Sequence, residues 1–142
     1  MQAQKTTLKT APIRQIGALI LFSLSAYSST AMADLLADCN QTASTINQST
    51  PQAIDKVTTL LNSVCFKDGS AVTLQYRNKL DVPSGAVDQG KISTLKPAMV
   101  NFWCTDPTQR KILNLVNIQY TYSENNGKYI GKVDIARREC KS

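Results

Sequence analysis

Apolar and polar positions follow a helical rhythm in the stretch after residue 33. Apolar or small side chains recur there at intervals of three and four, which is the spacing of a helix with one buried face. They are Leu35, Leu36, Cys39, Thr42, Ala43 and Ile46. Pro51 blocks any continuation of this helix. The pattern therefore predicts a first helix over residues 35–47.

The next two segments have the composition of strands. Residues 55–66 are rich in β-branched and apolar side chains and are followed by turn residues at 67–70, which predicts a strand and a turn. Between residues 72 and 77 apolar and polar side chains alternate, as they do in a half-buried strand. Since turn residues at 83–85 close this second strand, we expect the two strands to form a hairpin.

Residues 88–104 return to the helical rhythm and predict a second helix. Its apolar side chains are Ile92, Leu95, Met99, Phe102 and Trp103. Pro97 is expected to kink or shorten this helix. Asp106 followed by Pro107 has the chemistry of a helix start, so residues 108–115 are expected to form another short helix.

The end of the chain carries its strongest hairpin signal. Residues 117–122 and 129–135 each alternate between apolar and polar side chains, and Asn126-Gly127 lies in the turn between them. The predicted order is helix, strand, strand, helix, strand, strand. Because adjacent hairpins pair in antiparallel fashion, we expect an α+β fold in which two helices cover one face of a four-stranded antiparallel sheet.

The amino terminus has the composition of a secretory signal peptide. Three cations precede the apolar run 16–22, and the small residues of a cleavage site follow at 31–33. The cations are Lys5, Lys9 and Arg14. We therefore predict a signal peptide over residues 1–33 and a single α+β domain over residues 34–142, located in the periplasm or the medium. No later segment approaches the ~20 apolar residues of a membrane span.

The charge of the predicted mature chain does not favour a nucleic-acid partner. The formal net charge is +6, but three cations belong to the leader, which leaves 13 basic against 10 acidic residues and a balance of +3. The remaining cations are interspersed with acids such as Asp55, Asp68 and Asp81 and do not gather along one helix or face. We therefore expect another protein as the partner.

Four cysteines in a chain bound for an oxidising compartment predict disulfide bonds. Three pairings are possible, and spacing alone selects none of them. We favour Cys104 with Cys140, which would tie the end of the second helix to the end of the last strand and leave Cys39 with Cys65. The chain has no histidine and no zinc-type cysteine spacing, so neither a metal nor another cofactor is expected.

Two alternatives concern a lipid anchor and catalysis. Residues 35–39 superficially resemble a lipidation box, but Asp38 occupies a position where such boxes have a small residue. Without histidine, a serine or cysteine nucleophile lacks its usual base, and the aspartates fall at element ends where caps and turns explain them. We expect no catalytic residue. A small histidine-free hydrolase or toxin that uses paired carboxylates is the alternative.

A candidate partner surface lies around the last turn. Tyr120, Tyr122 and Tyr129 flank this turn, and Arg137 and Arg138 follow the last strand. Tyrosine and arginine are enriched at binding hot spots. Cross-strand tyrosine pairs that stabilise the hairpin are the alternative interpretation.

Five short stretches between residues 46 and 140 carry a resemblance to a known family. They are 46–60, 72–76, Cys104, 120–122 and Cys140. The pattern is similar to the quorum-sensing-regulated virulence-factor-like family of small exported proteobacterial proteins. The resemblance implies a small α+β periplasmic or secreted protein without a catalytic signature, and a disulfide matching Cys104 and Cys140. Cys39 and Cys65 are additions to the pattern.

Our first hypothesis is an exported, non-enzymatic protein-binding module of the bacterial periplasm or extracellular space, with a role in virulence or in the envelope. The alternative within non-enzymatic proteins is an accessory protein of a secretion or pilus assembly system. Such accessories are often lipid-anchored, so the mass of the mature amino terminus would separate an anchored from an unanchored form.

Overall fold

The computed structural model describes residues 31–141 of the chain. Residues 1–30, and with them most of the predicted signal peptide, lie outside the described residues. The helices are α1 (Ala31–Asn47), α2 (Gln89–Ser93), α3 (Lys96–Thr105) and α4 (Pro107–Leu113). The strands are β1 (Gln52–Ala53), β2 (Thr58–Asp68), β3 (Ala71–Leu80), β4 (Asn117–Glu124) and β5 (Tyr129–Ile135). A 3₁₀ turn, Arg137–Glu139, follows β5.

The strands form one five-stranded mixed sheet within residues 31–141, in the order β1-β2-β3-β4-β5. Three neighbouring pairs are antiparallel, but β3 and β4 are parallel. The expected four-stranded antiparallel sheet is therefore wrong in strand number and in one pairing. Strand β1 has only two residues, which is too short to produce an alternating pattern. The parallel pair arises because α2, α3 and α4 form a crossover connection that returns the chain to the starting end of β3 before β4 begins.

The helices also differ from the expected pair. The first helix is confirmed, with Cys39, Thr42, Ala43 and Ile46 as its buried residues. The predicted second helix is split, since α2 ends at Ser93 and α3 begins at Lys96 with Pro97 in its first turn. Proline fits that turn because its missing N–H has no helical partner there. The start of α4 is confirmed, and Asp106 caps it by accepting from the backbone N–H of Thr108 at 2.9 Å.

All of these helices cover the same face of the sheet. Alternate residues of the strands share one apolar core with the helices. The strand residues of this core include Val72, Leu74, Ile118, Tyr122, Val133 and Ile135, and the helix residues include Ala43, Ile92, Trp103, Ile112 and Leu113. Helix α1 packs on β2 and β3, whereas α2 and α3 pack on β5. Two separate helical groups therefore lie over opposite halves of the sheet.

The opposite face of the sheet is polar. Arg77 Nε donates to Gln75 Oε1 at 2.8 Å, and the Gln75 amide donates to Gln119 Oε1. Gln119 Nε2 donates to Asp134 Oδ1 at 2.6 Å, and the Lys132 ammonium lies 3.0 Å from Asp134 Oδ2. This chain of hydrogen bonds crosses β3, β4 and β5, whereas on β2 the buried Oδ1 of Asn62, the register partner of Arg77, has no hydrogen-bond partner among the described residues.

One buried acid fixes the connection that follows β3. Glu124, which pairs with Leu80 at the ends of the parallel strands, is only 4% exposed. Its carboxylate accepts from Ser84 Oγ at 2.7 Å and from the Gly85 backbone N–H at 2.8 Å. These hydrogen bonds, the Gly85 one foremost, lower the pKa of Glu124. The carboxylate thereby anchors the start of the crossover to the end of β4.

Two disulfide bonds staple the described part of the chain. Cys39 is bonded to Cys65, which joins α1 to β2, and Cys104 is bonded to Cys140, which joins the last turn of α3 to the carboxyl terminus. These are the pairs that the sequence favoured. Because the Cys39 sulfur is bonded to Cys65, this structure leaves no thiol there for a lipid. None of the helices within residues 31–141 is both long and apolar enough to cross a bilayer.

Candidate functional site

The gap between the two helical groups lies over the centre of the sheet. Tyr76 of β3 and Tyr120 of β4 are register partners on the helix-covered face. Their rings stack with centroids 5.1 Å apart and an angle of 17° between planes. Both residues are only partly buried, although neighbours such as Leu74 and Ile118 on the same face are 1% and 0% exposed. The two rings therefore form the floor of a cleft.

Helix α1 supplies one wall of this cleft. Its apolar face is fully buried in the carboxyl-terminal half, where Cys39, Ala43 and Ile46 lie. In the amino-terminal half the same face continues with Leu35 and Leu36, which are half-buried against the core. Because Ala43 lies at Ser63, the register partner of Tyr76, and Cys39 is bonded to Cys65, the partner of Leu74, the first turns of α1 continue past Tyr76 toward the β2–β3 turn.

Helix α3 supplies the other wall. Trp103 points to the core and is 2% exposed. At about 100° per residue, Leu95 and Phe102 lie on one flank of Trp103 and Cys104 lies on the opposite flank. Cys104 is bonded to Cys140, which follows the edge strand β5. The flank with Leu95 and Phe102, which are 40% and 50% exposed, is therefore the one turned away from Cys140.

We call this site the tyrosine cleft. Its members are Tyr76 and Tyr120 on the floor and Leu95, Met99 and Phe102 on the α3 wall, and the carboxyl-terminal half of α1, which contacts Ser63 beside Tyr76, bounds the other side. One hydrogen bond fixes the floor to the α3 wall, since Trp103 Nε1 donates to the Tyr120 hydroxyl at 2.9 Å. Phe102 in turn packs edge-on against Trp103, with ring centroids 6.0 Å apart. The aromatic part of the cleft is therefore held in one arrangement.

The cleft floor is electrically neutral near neutral pH. Burial raises the pKa of Tyr120 to about 12, against a hydrogen bond from Trp103 that lowers it. Burial also raises the pKa of Tyr76 far above its usual value. Neither phenol can serve as an acid or base near neutral pH with such values. The floor therefore offers no proton-transfer chemistry near neutral pH.

The turn between β1 and β2 carries exposed apolar side chains. Ile54 and Val57 in this turn are 56% and 44% exposed. Asp55 holds the turn by accepting from the backbone N–H groups of Val57 and Thr58 at 2.9 and 2.8 Å, and these bonds lower the pKa of Asp55. Burial raises the pKa of Tyr122 to about 12.

The structure divides the candidate partner surface around the last turn. Tyr120 lies on the cleft floor and Tyr122 is buried at 5% exposure. Tyr129 is 58% exposed, and Arg137 and Arg138 are exposed in the 3₁₀ turn. The five side chains do not share one surface. Whether the three exposed ones bind a partner stays a prediction.

Three of the acids considered for catalysis have structural roles: Asp55 holds the β1–β2 turn, and Asp88 and Asp106 cap α2 and α4. Within residues 31–141 no group of three or more cysteine or acidic side chains is arranged to hold a metal ion. Sequence reasoning missed Tyr76, Leu95 and Phe102 as cleft residues.

The missed residues carried one readable signal. Tyr76 alternates in phase with the apolar residues Val72 and Leu74, which places it on the covered face. Its partner Tyr120 shows the same phase with Ile118. The alternation does not indicate that β3 and β4 pair in parallel, and this pairing brings the two tyrosines together.

Comparison with known proteins identifies the fold. No family model and no curated protein matches this sequence. A Pseudomonas aeruginosa protein assigned as secreted is similar in structure, with a TM-score of 0.65 and 13% identity over 82% of this chain and 100% of that chain.

Two further solved structures with the same fold are pilotins. The pilotin EpsS of the Vibrio vulnificus type 2 secretion system has a TM-score of 0.62 and 12% identity, covering 78% of this chain and 96% of its own. The type II secretion system pilotin AspS of Vibrio cholerae has a TM-score of 0.54 and 15% identity, covering 77% and 94%. Identities of 12–15% establish a shared fold alone.

Proposed function

We propose that this chain is an exported, non-catalytic accessory protein of a type II secretion apparatus, and that it binds an apolar segment of another envelope protein in the tyrosine cleft. The observation that carries the proposal is the match to EpsS, which extends over 96% of that pilotin. The likeness to AspS, over 94% of its chain, supports the same class.

The chemistry of the tyrosine cleft supports a protein partner. Its floor is aromatic and uncharged, and its walls carry Leu95 and Phe102 at 40% and 50% exposure. Aromatic residues in a desolvated pocket are the usual anchors of protein interfaces. A cleft bounded by two helices suits a segment with apolar side chains along one side, as in helix-in-groove recognition.

The first hypothesis from the sequence, a protein-binding module outside any secretion apparatus, is the second candidate. The likeness to the secreted Pseudomonas aeruginosa protein supports export without naming a machine. The two candidates differ in the identity of the partner, and a binding experiment separates them. The resemblance to the quorum-sensing-regulated family stays a prediction.

The test is a purification of the complex from the envelope of the cell that makes the protein. The bait is the oxidised chain from residue 34, compared with Phe102→Asp in the α3 wall. Tyr129→Asp is the matched comparison, because Tyr129 is a similarly exposed aromatic residue outside the cleft, and loss of the complex with this variant alone would place the partner on the surface around the last turn. We expect a component of the type II secretion apparatus to bind the unchanged chain and Tyr129→Asp, and to be lost with Phe102→Asp.

A secretion assay gives an independent measurement. Deleting the gene should leave type II substrates inside the cell, and the unchanged gene and Tyr129→Asp should restore their release whereas Phe102→Asp should not. Normal release in the deletion strain would contradict the secretion role. Equal complex recovery with Phe102→Asp would contradict the cleft as the binding site.

A further inference from the structure

The two outer edges of the sheet are closed by the same device. On the β2 side, the Asn47 side chain accepts from the Ser63 backbone N–H at 2.6 Å and donates to the Ser63 carbonyl at 2.8 Å. On the β5 side, the Gln89 side chain accepts from the Lys132 backbone N–H at 2.9 Å and donates to the Lys132 carbonyl at 3.1 Å. In both places one side-chain amide satisfies both backbone groups of one edge residue.

These are the hydrogen bonds that a residue of an added strand would make. In an antiparallel pair, the N–H and C=O of one residue point together to one side, and this direction alternates along the strand. Because Lys132 points outward to Gln89 and the pairing is regular from Gly131 to Ile135, Asp134 on β5 also points outward. On β2, Cys65 has the outward direction of Ser63 for the same reason. Each side-chain amide therefore binds one residue in a row of residues whose backbone N–H and C=O groups point outward from the sheet.

Gly131 leaves the space that the Gln89 side-chain amide occupies. A Cβ atom on Gly131 would lie 2.8 Å from Gln89 Cδ and 3.2 Å from Gln89 Cα, so any other residue at 131 would collide with Gln89. Gln89 Nε2 also donates to Ser93 Oγ at 2.9 Å within α2. The short helix α2 thereby holds the amide against the edge.

The β2 amide has equivalent support. Asn47 is the last residue of α1, and its Oδ1 also accepts from Ser63 Oγ at 3.2 Å. Ser63 is 1% exposed, and its hydroxyl lies 3.2 Å from the Ala43 carbonyl. Strand β1 closes the neighbouring part of this edge by pairing with Thr59 and Leu60.

We propose that Asn47 and Gln89 are edge guards that keep strands from adding to this sheet. An unpaired edge is a template for pairing with another chain, and native proteins block such edges. Each helical group carries one guard, at the end of α1 and at the start of α2. The strand that a guard excludes is the same edge of a second copy of this chain, because two β5 strands can pair antiparallel about a two-fold axis.

The β5 edge gives the sharper test, because its guard can be removed in two independent ways. Gln89→Ala deletes the amide, and Gly131→Ala displaces it by collision. Ser93→Ala is the matched control, since it removes the Gln89–Ser93 hydrogen bond and leaves the contacts of Gln89 with Lys132. The measurements are sedimentation equilibrium over a range of protein concentrations and hydrogen exchange of the β5 amides.

We expect the unchanged protein and Ser93→Ala to be monomeric, and Gln89→Ala and Gly131→Ala to approach the mass of a dimer as concentration rises. Adding Asp134→Pro to Gln89→Ala should restore the monomer, because proline removes an outward N–H from the edge. The proposal is overturned if both guard variants stay monomeric at every concentration, whether the Lys132 amide exchanges rapidly or stays protected. Association that persists with Asp134→Pro would overturn it as well, by placing the contact elsewhere.

Discussion

The hydrogen bond between Trp103 and Tyr120 joins the floor of the tyrosine cleft to its α3 wall, and Tyr120→Phe tests its contribution. The substitution removes the hydroxyl that accepts from Trp103 Nε1 at 2.9 Å and keeps the ring that stacks on Tyr76. Trp103 is 2% exposed, so its indole N–H would be left without a partner in the core. The change therefore isolates one polar contact in an aromatic cluster.

The magnitude follows from the burial of the donor. A typical intramolecular hydrogen bond contributes about 1 kcal/mol, but leaving a buried donor unpaired costs about 1–3 kcal/mol. We expect Tyr120→Phe to lower the free energy of unfolding by about 2 kcal/mol. Tyr129→Phe is the matched control, and because Tyr129 is 58% exposed its effect should stay within about 0.5 kcal/mol.

Urea unfolding followed by circular dichroism measures both values. The slope of the free energy with urea should not change, because the substitution exposes no additional surface in the unfolded chain. Trp103 is the chain's single tryptophan, so its fluorescence reports the same contact in the folded state. A Tyr120→Phe protein as stable as the unchanged one would refute the reasoning, since the indole N–H would then have found another partner.

Three further predictions concern the two disulfide bonds, the Glu124 carboxylate and the buried tyrosine hydroxyls. Replacing Cys104 and Cys140 by alanine opens a loop with a sequence separation of 36 residues and should lower the free energy of unfolding by about 3.8 kcal/mol. Replacing Cys39 and Cys65, with a separation of 26 residues, should lower it by about 3.5 kcal/mol. Urea unfolding of each double variant under oxidising conditions measures both values. The lowered pKa of Glu124 means that the folded carboxylate resists protonation, so this contribution to stability is present above the unfolded pKa and is lost as pH falls through the folded pKa. Glu124→Gln should therefore flatten the acid side of a plot of stability against pH. Burial raises the pKa values of Tyr120 and Tyr122 to about 12, so these phenols ionise at lower pH in the unfolded chain than in the folded one. The free energy of unfolding should therefore fall as pH rises from about 10 to about 12. A free energy of unfolding that stays constant over this interval would contradict the burial of both hydroxyls.

Elements with strong local chemistry could be predicted from the sequence. The hairpin of β4 and β5 is confirmed, and Gly127 in its turn has a φ of 85°, a conformation in which glycine avoids a steric cost. The cap at Asp106 and the apolar face of α1 were equally readable, because caps and helical spacing depend on residues close together in the sequence. Local rules therefore identified most elements.

The sheet topology could not be predicted in this way. The alternating pattern of β3 is the same whether its neighbour runs parallel or antiparallel, so the pattern carries no information on direction. The direction is decided by the crossover through α2, α3 and α4, whose helices must pack on the same face as α1. The break between α2 and α3, at residues 94–95, was anticipated only as a kink or a shortening at Pro97. The cleft residues were missed for the same reason, since Tyr76 and Tyr120 meet only through the parallel pair.

The topology also explains why the cleft lies where it does. Helix α1 precedes the β2–β3 hairpin and is bonded to it through Cys39 and Cys65, so it stays over that half of the sheet. Helix α3 belongs to the crossover and is bonded to the chain end beyond β5 through Cys104 and Cys140, so it stays over the other half. The two staples thus hold the walls on opposite sides of the parallel pair, and the side chains between them are the tyrosines of β3 and β4. A partner segment bound in this gap would bury the tyrosine side chains at the centre of the sheet that the helices cover only in part.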